Sequence, residues 1–203
     1  MRTDDNGYWG PEDDNSGLSA AVAAAPDIEA KWLPHVKGRL CAFQAGGHCG
    51  VFPLELSKHF ASVYTAEPEF DNWICLTRNC RAANVYPFRA AVGDAHGWCT
   101  VNKPQPHNSG AHFVSMGGSV PIIPIDSFEL AACDLIALDV EGYEWYALKG
   151  AEKTLKRHRP TVIFEVKHSQ RFQRGRTDIV NLLGGYEKVA TVGIDEIWTP
   201  VGA

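Results

Sequence analysis

Apolar positions along the chain fall into short runs separated by polar, glycine-rich turns, and the period of the runs alternates. RLCAFQ, residues 39–44, reads as a buried strand. The following VFPLELSKHF places Val51, Leu54 and Phe60 on one helical face, with Pro53 tolerable only in the first turn. SVYTAEP predicts a second strand, and FDNWICLTRNC a helix with Phe70, Trp73, Ile74 and Thr77 at helical spacing. VYPFRAAVGD predicts a third strand ending in a turn. CDLIALDV is a strongly apolar fourth strand, EWYALKGAEKTLKRH a helix, and PTVIFEV a fifth strand. RTDIVNLLGG predicts a helix closed by glycines, and YEKVATVGIDEIWTP two strands around Gly193, Ile194 and Asp195.

Strands alternating with helices imply right-handed crossovers and an α/β fold with a parallel sheet. The last two strands have no helix between them, so one runs antiparallel to its neighbour or lies at an edge. Residues 1–38 form an arm: an irregular polar stretch to Gly17, then helix formers in which Pro26 opens a segment ending near Trp32. Residues 39–203 form the main domain. A loop-rich insertion at about 97–125, with four prolines and four glycines, interrupts the alternation. In open α/β sheets such insertions lie beside the ligand, which binds at the carboxyl ends of the strands.

Composition narrows the partners. The chain has 203 residues, 45% hydrophobic and 21% charged, enough for one sizeable core. Its net charge of -5 and pI near 5.9, without a dense basic block, argue against a nucleic-acid surface. The six cysteines form no C-x-x-C pair, which argues against zinc ribbons and redox motifs, and each reads as a small buried hydrophobe. The polar, acidic start is not a signal peptide, and no run approaches the roughly 18 apolar residues of a membrane span. A cytoplasmic protein with reduced thiols and no membrane partner is expected.

The candidate chemistry lies at strand ends. Gln44, Ala45, Gly46, Gly47 and Gly50 make a strand-to-helix turn that a ligand can approach closely, with helix amides beyond it for a carboxylate or phosphate. The sequence is neither G-x-G-x-x-G nor a Walker loop, and a glycine turn that binds nothing explains it equally. Glu67 falls 21 residues after Gly46, at the tip of the second strand, where an acid holds a ribose diol; Pro68 stops the strand. Asp94, past the third strand, suits an exocyclic amine. Each acid alone also reads as a cap or turn residue, but successive strand ends bearing such groups point to an adenosyl ligand. Asp139, Glu141 and Glu144 cluster after the fourth strand as a general base, a divalent-ion site or a capped helix start. Glu165 and His168 point to the same edge.

Over residues 39–200 the chain resembles the FkbM family of S-adenosylmethionine-dependent methyltransferases. The most specific part is DLIALDVEGYEWYALKGAEKTLKRHRPTVIFEV, through Asp139, Glu141, Gly142, Glu144, Leu148, Gly150, Ala151, Arg159, Pro160 and Glu165. Glu67, Pro68, Leu76 and Asn79 fit the second strand end and its helix, and AAVGDAHG fits the third strand end. The chain departs from the family at Gln44, where an acid is usual, and at His48, which replaces an amide side chain.

The resemblance implies a Rossmann-like class I methyltransferase fold: a seven-stranded, mostly parallel sheet with helices on both faces and an antiparallel last strand. It implies S-adenosyl-L-methionine as cofactor, held by Gln44 to Gly50 at the methionine end, Glu67 with Pro68 at the ribose and Asp94 at the adenine, with Asp139 also among the cofactor-binding residues. It also implies O-methylation of a sugar or other small-molecule hydroxyl, with Asp139, Glu141 or His168 handling the proton. A divalent metal is compatible with this arrangement but is not required by it. The acceptor is expected under the insertion, near Trp98, His107, Asn108 and His112. The alternative reading is a catalytically impaired methyltransferase-fold protein acting as a binding or structural module. An oxidoreductase would need G-x-G-x-x-G and a Tyr-Lys pair, and neither is present.

Overall fold

The computed structural model describes residues 1–166 and 174–202. A short hairpin of β1 (Arg2–Thr3) and β2 (Trp9–Gly10) leads into α1 (Gly17–Ala24). The arm continues helically from Pro26 through a π-turn at Ile28–Trp32 and a 3-10 turn at Leu33–His35. The first half of the main domain runs β3 (Cys41–Ala45), α2 (Val51–Ser57), β4 (Ser62–Ala66), α3 (Phe70–Asn79) and β5 (Val85–Phe88). The insertion carries β6 (Ala91–Val92), β7 (Gly97–Asn102), β8 (Phe113–Met116) and β9 (Val120–Ile123). The second half runs β10 (Leu135–Leu138), α4 (Glu144–Lys149), α5 (Glu152–His158), β11 (Thr161–Glu165), α6 (Arg176–Leu182), β12 (Tyr186–Val192) and β13 (Asp195–Pro200).

The main sheet has seven strands in the order β12-β13-β11-β10-β3-β4-β5. Strands β5, β4, β3, β10 and β11 pair in parallel, while β13 runs antiparallel to both β11 and β12. The C-terminal pair without an intervening helix thus accounts for the antiparallel strand. The central strands β3, β10 and β11 are buried along their whole length because helices cover both faces. Alternate residues feed two cores. Phe43, Ile136, Leu138 and Phe164 pack toward α4, α5 and α6, whereas Ala42, Leu135, Ala137 and Ile163 pack toward the arm and α2.

Two local readings change. The single helix expected after the fourth strand is two helices that break at Gly150, where a Cβ would collide with the Gly93 carbonyl. Gly150 also accepts the Asp126 amide at 2.8 Å, so the break docks the insertion's exit. The third strand is likewise divided. β5 ends at Phe88, and Ala91–Val92 joins a separate sheet of order β6-β9-β7-β8 that packs on Tyr143.

The chain runs outward in both directions from the β3/β10 boundary, which is the topological switch point of the sheet. A crevice is expected there, at the carboxyl ends of the strands.

Candidate active site

The turn after β3 is shaped by close approach. Gly46 has φ of +81°, and a Cβ there would collide with the Asp139 carbonyl oxygen. The amides of Gly46 and Gly47 donate to the Ala66 carbonyl at 3.1 and 3.0 Å, and the Gly50 amide donates to the Gly47 carbonyl at 2.8 Å. These donors build the turn itself. Gly46 and Gly47 therefore meet the crevice with their donors turned inward. Gln44 completes the arrangement: its Nε2 donates to the Gly46 carbonyl at 2.8 Å, and Thr65 Oγ1 donates to its Oε1 at 2.6 Å. A carboxylate at position 44 would have no donor for that carbonyl.

Glu67 leaves β4 beside this turn. Its Oε2 accepts from the His48 amide at 2.7 Å and its Oε1 from the Glu69 amide at 2.8 Å. Burial pushes the Glu67 carboxyl up to about 7, against the pull of these amides. Each oxygen keeps capacity for a further donor, which suits a diol. Glu69 caps α3 by accepting from the Asn72 amide at 2.7 Å, and Lys103 of the insertion pairs with it at 2.8 Å.

The insertion and the arm close over this half of the crevice. The Ser109 amide donates to Asp14 Oδ1 at 2.8 Å, its carbonyl accepts from Asn72 Nδ2 at 2.9 Å, and its hydroxyl lies 2.6 Å from His48 Nε2. Asp14 also accepts from the Gly17 and Leu18 amides at 3.0 and 2.8 Å. Burial raises the Asp14 carboxyl, but these bonds outweigh it and hold the group below its ordinary range. His48 takes a left-handed φ of +46°, and burial drives its ring down to about 4, so the imidazole is neutral near pH 7.

The other half is an acidic rim after β10, β11 and into β13. Asp139, Glu141 and Glu165 each place a carboxylate oxygen within 4.8 Å of the others. Asp195 neighbours Glu165 across the β11–β13 ladder. Glu141 reaches its position through a left-handed φ of +58°. Beneath it, Glu144 Oε1 accepts from the Val140 and Gly142 amides, both at 3.1 Å, and so holds the turn that carries Glu141. Burial raises the Glu144 carboxyl to about 7. Oxygens at this spacing suit either a proton acceptor or a divalent ion.

Both halves line one cavity of about 680 Å³. Gln44, Ala45, Gly46 and Gly47 line it from β3, Glu67 and Pro68 from β4, and Asp139 and Glu141 from β10. Gly50 stands back from its wall, as the N-cap of α2, where its carbonyl accepts the Cys80 thiol at 3.0 Å. Asp94 is exposed and outside the lining, because the chain has already left the main sheet after β5. His168 lies outside the described residues. Of the residues expected beside an acceptor, Asn108 and His112 line the cavity, but His107 bonds the Asp13 carbonyl at 3.2 Å and Trp98 is exposed. Sequence reasoning missed Asp14, Asn72 and Ser109. The signal for Asp14 is an acid three residues before Gly17 at a helix start.

A glycine turn and an acid at adjacent strand ends, facing a crevice at the switch point of this sheet order, define a Rossmann-like class I methyltransferase fold. Solved structures agree at the level of fold. A methyltransferase FkbM from Methylobacillus flagellatus is 19% identical with a TM-score of 0.54, over 79% of this chain and 43% of its own. A precorrin-6y C5,15-methyltransferase from Geobacter metallireducens is 11% identical with a TM-score of 0.53, over 98% and 97% of the two chains. A magnesium protoporphyrin IX methyltransferase from Synechocystis, with bound SAM, is 12% identical with a TM-score of 0.50, over 90% and 78%. The chain thus spans less than half the length of the first of these. No curated protein matches it. The profile described as Methyltransferase FkbM domain matches residues 61–197, and the chain belongs to that family.

Proposed function

We propose that this chain is an S-adenosylmethionine-dependent methyltransferase that methylates a hydroxyl of a small molecule, with sugars the favoured class. The observation that carries the reading is Glu67, a buried carboxylate at the second strand end, tied to the His48 amide of the glycine turn at 2.7 Å. A buried acid that accepts from two backbone amides has acceptor capacity left for two ribose hydroxyls. The cavity volume suits an adenosyl ligand with part of an acceptor beside it.

S-adenosylmethionine, when bound, supplies an electrophilic methyl group on a sulfonium. Glu67 holds the ribose, and the bare Gly46 and Gly47 backbone lets the chain of the methionine lie against the turn. Gln44 keeps that turn in shape through Thr65, which makes its amide a fitting replacement for the acid usual in the family. Asp139 and Glu141 orient the acceptor hydroxyl and take its proton. Alignment of the two reactants is the protein's main contribution. The acid-rich rim fits a polar acceptor.

Titration calorimetry with S-adenosylhomocysteine tests the reading. Wild type should bind it, and Glu67→Ala should weaken binding by about 100-fold or more, as expected for two bonds to a charged acceptor. Silence from wild type at millimolar ligand would dismiss the function. A Glu67→Ala variant that binds like wild type would dismiss the assigned role of that acid.

A further inference from the structure

The end of α2 and the arm bring three metal-ligating side chains together, and none of the three lines the cavity. The chain stays helical beyond Ser57: the His59 amide donates to the Leu56 carbonyl at 2.9 Å, and the Phe60 amide to the same oxygen at 3.1 Å. Glu55 and His59, four residues apart, therefore share one face of that turn. Glu29 comes from the arm, on the π-turn at Ile28–Trp32. That turn is anchored on α2, because Ile28 and Trp32 are buried and the Trp32 ring meets Phe52 edge-on at 5.5 Å. One ligand atom each from Glu29, Glu55 and His59 lies within 4.8 Å of the other two.

The contacts within the group leave a gap of ionic size. His59 Nε2 is 3.7 Å from Glu55 Oε1, too far for a hydrogen bond. Nε2 is also closed to water and has no hydrogen-bond partner among the described residues. A ligand the size of water cannot enter between these atoms, but a bare ion can: two bonds of about 2.0 Å, the length zinc makes to imidazole and carboxylate, span such a gap. Glu55 divides its oxygens, with Oε2 paired to Lys58 Nζ at 2.5 Å and Oε1 toward His59. Glu29 is exposed, so water has access on its side of the group. One imidazole, two carboxylates and a water are a donor set that zinc accepts, and the two carboxylates balance its charge.

We propose that Glu29, Glu55 and His59 form a zinc site that clamps the arm to α2. The ion takes Nε2 of His59, whose proton then sits on Nδ1, and one oxygen of each carboxylate. This does not rest on the methyltransferase reading. It does bear on the cavity, because Trp32 and Phe52, carried by the two clamped elements, both line it.

The test titrates chelator-treated full-length protein with zinc chloride in competition with a chromogenic chelator. A parallel titration uses cobalt(II), whose visible absorption reports a four- or five-coordinate site. Wild type should bind zinc, and zinc should slow hydrogen exchange across residues 26–36. His59→Ala removes a ligand, so it should weaken zinc by more than the roughly 10- to 100-fold that loss of an outer-shell partner costs, and it should abolish the cobalt bands. Glu29→Gln, at an exposed side chain, should weaken zinc by about tenfold or more, which covers a His59→Ala variant that fails to fold. Asp139→Asn, at the acidic rim, should bind zinc like wild type. Wild type that ignores sub-millimolar zinc overturns the proposal. So does equal affinity of wild type and the Glu29 and His59 variants, and so does loss of zinc on Asp139→Asn, which places the ion at the rim. S-adenosylhomocysteine affinity on the same samples judges the methyltransferase reading separately, and neither result decides the other.

Discussion

The two halves of the cavity are built by different rules. In the half under the arm and the insertion, carboxylates are held by backbone amides: Asp14 by three, Glu67 by two, and Glu69 by the first turn of α3. Backbone donors fix a carboxylate without needing a partner side chain, and the lid of Ser109 and His48 adds cross-links from distant segments. In the rim, Asp139, Glu141 and Glu165 gather their oxygens within 4.8 Å of one another. Under the proposed function, one half holds the cofactor and the other takes the acceptor's proton.

The strongest challenge to the division is Asp139→Asn or Glu141→Gln. Each should lower kcat by roughly 10²- to 10⁴-fold, the usual loss for a general base, while affinity for S-adenosylhomocysteine stays within about threefold, the scale of one weak contact. Calorimetry paired with turnover on an acceptor panel separates these outcomes. Cofactor affinity that falls as steeply as turnover would merge the two halves into one site.

A smaller effect is expected at the lid. Asp14→Ala removes the acceptor for the Ser109, Gly17 and Leu18 amides and should weaken S-adenosylhomocysteine by about tenfold, a net loss near one hydrogen bond's scale. Hydrogen exchange should speed up across residues 105–112 and not at the rim. Because the Asp14 carboxyl is held below its ordinary range, its contribution is present above that range and is lost as pH falls through the lowered value. Uniform exchange protection in the variant would show that the lid does not depend on Asp14.

What the sequence disclosed follows the same division. β3, β10 and β11 are legible because strands buried on both faces become unbroken apolar runs, and Gln44 stands out in one of them as a polar residue needing a partner. Glu67 is legible because its distance from the glycine turn is set by one βαβ unit. The lid is not legible, since Asp14 and Ser109 are 95 residues apart and no local period joins them. Asp94 falls outside the cavity lining for a related reason: whether a strand end stays in the main sheet depends on the insertion's own pairing at Ala91–Val92. The helix break at Gly150 depends on the approach of Gly93, again from another segment.

The finest test uses one buried acid from each half. Burial pushes both Glu67 and Glu144 to about 7, from an ordinary carboxyl value near 4.5. A raised acid pKa favours the neutral form in the folded state. Neither group therefore costs stability below pH 4.5; the penalty grows between about 4.5 and 7 and is complete above 7. Wild type should lose thermal stability as pH rises through that window. Glu144→Gln keeps the Oε1 acceptor for the Val140 and Gly142 amides but cannot ionise. It should be stabilised at pH 8 by on the order of 2 kcal/mol, or several degrees in Tm, and unchanged at pH 4.5. Part of the pH slope should remain, owing to Glu67. Saturating S-adenosylhomocysteine should reduce that remainder in turn, because ribose donors favour the ionised Glu67 carboxylate. If Glu144→Gln alone flattens the whole slope, Glu67 is not a raised acid; if the ligand leaves the remaining slope unchanged, the ribose does not reach it.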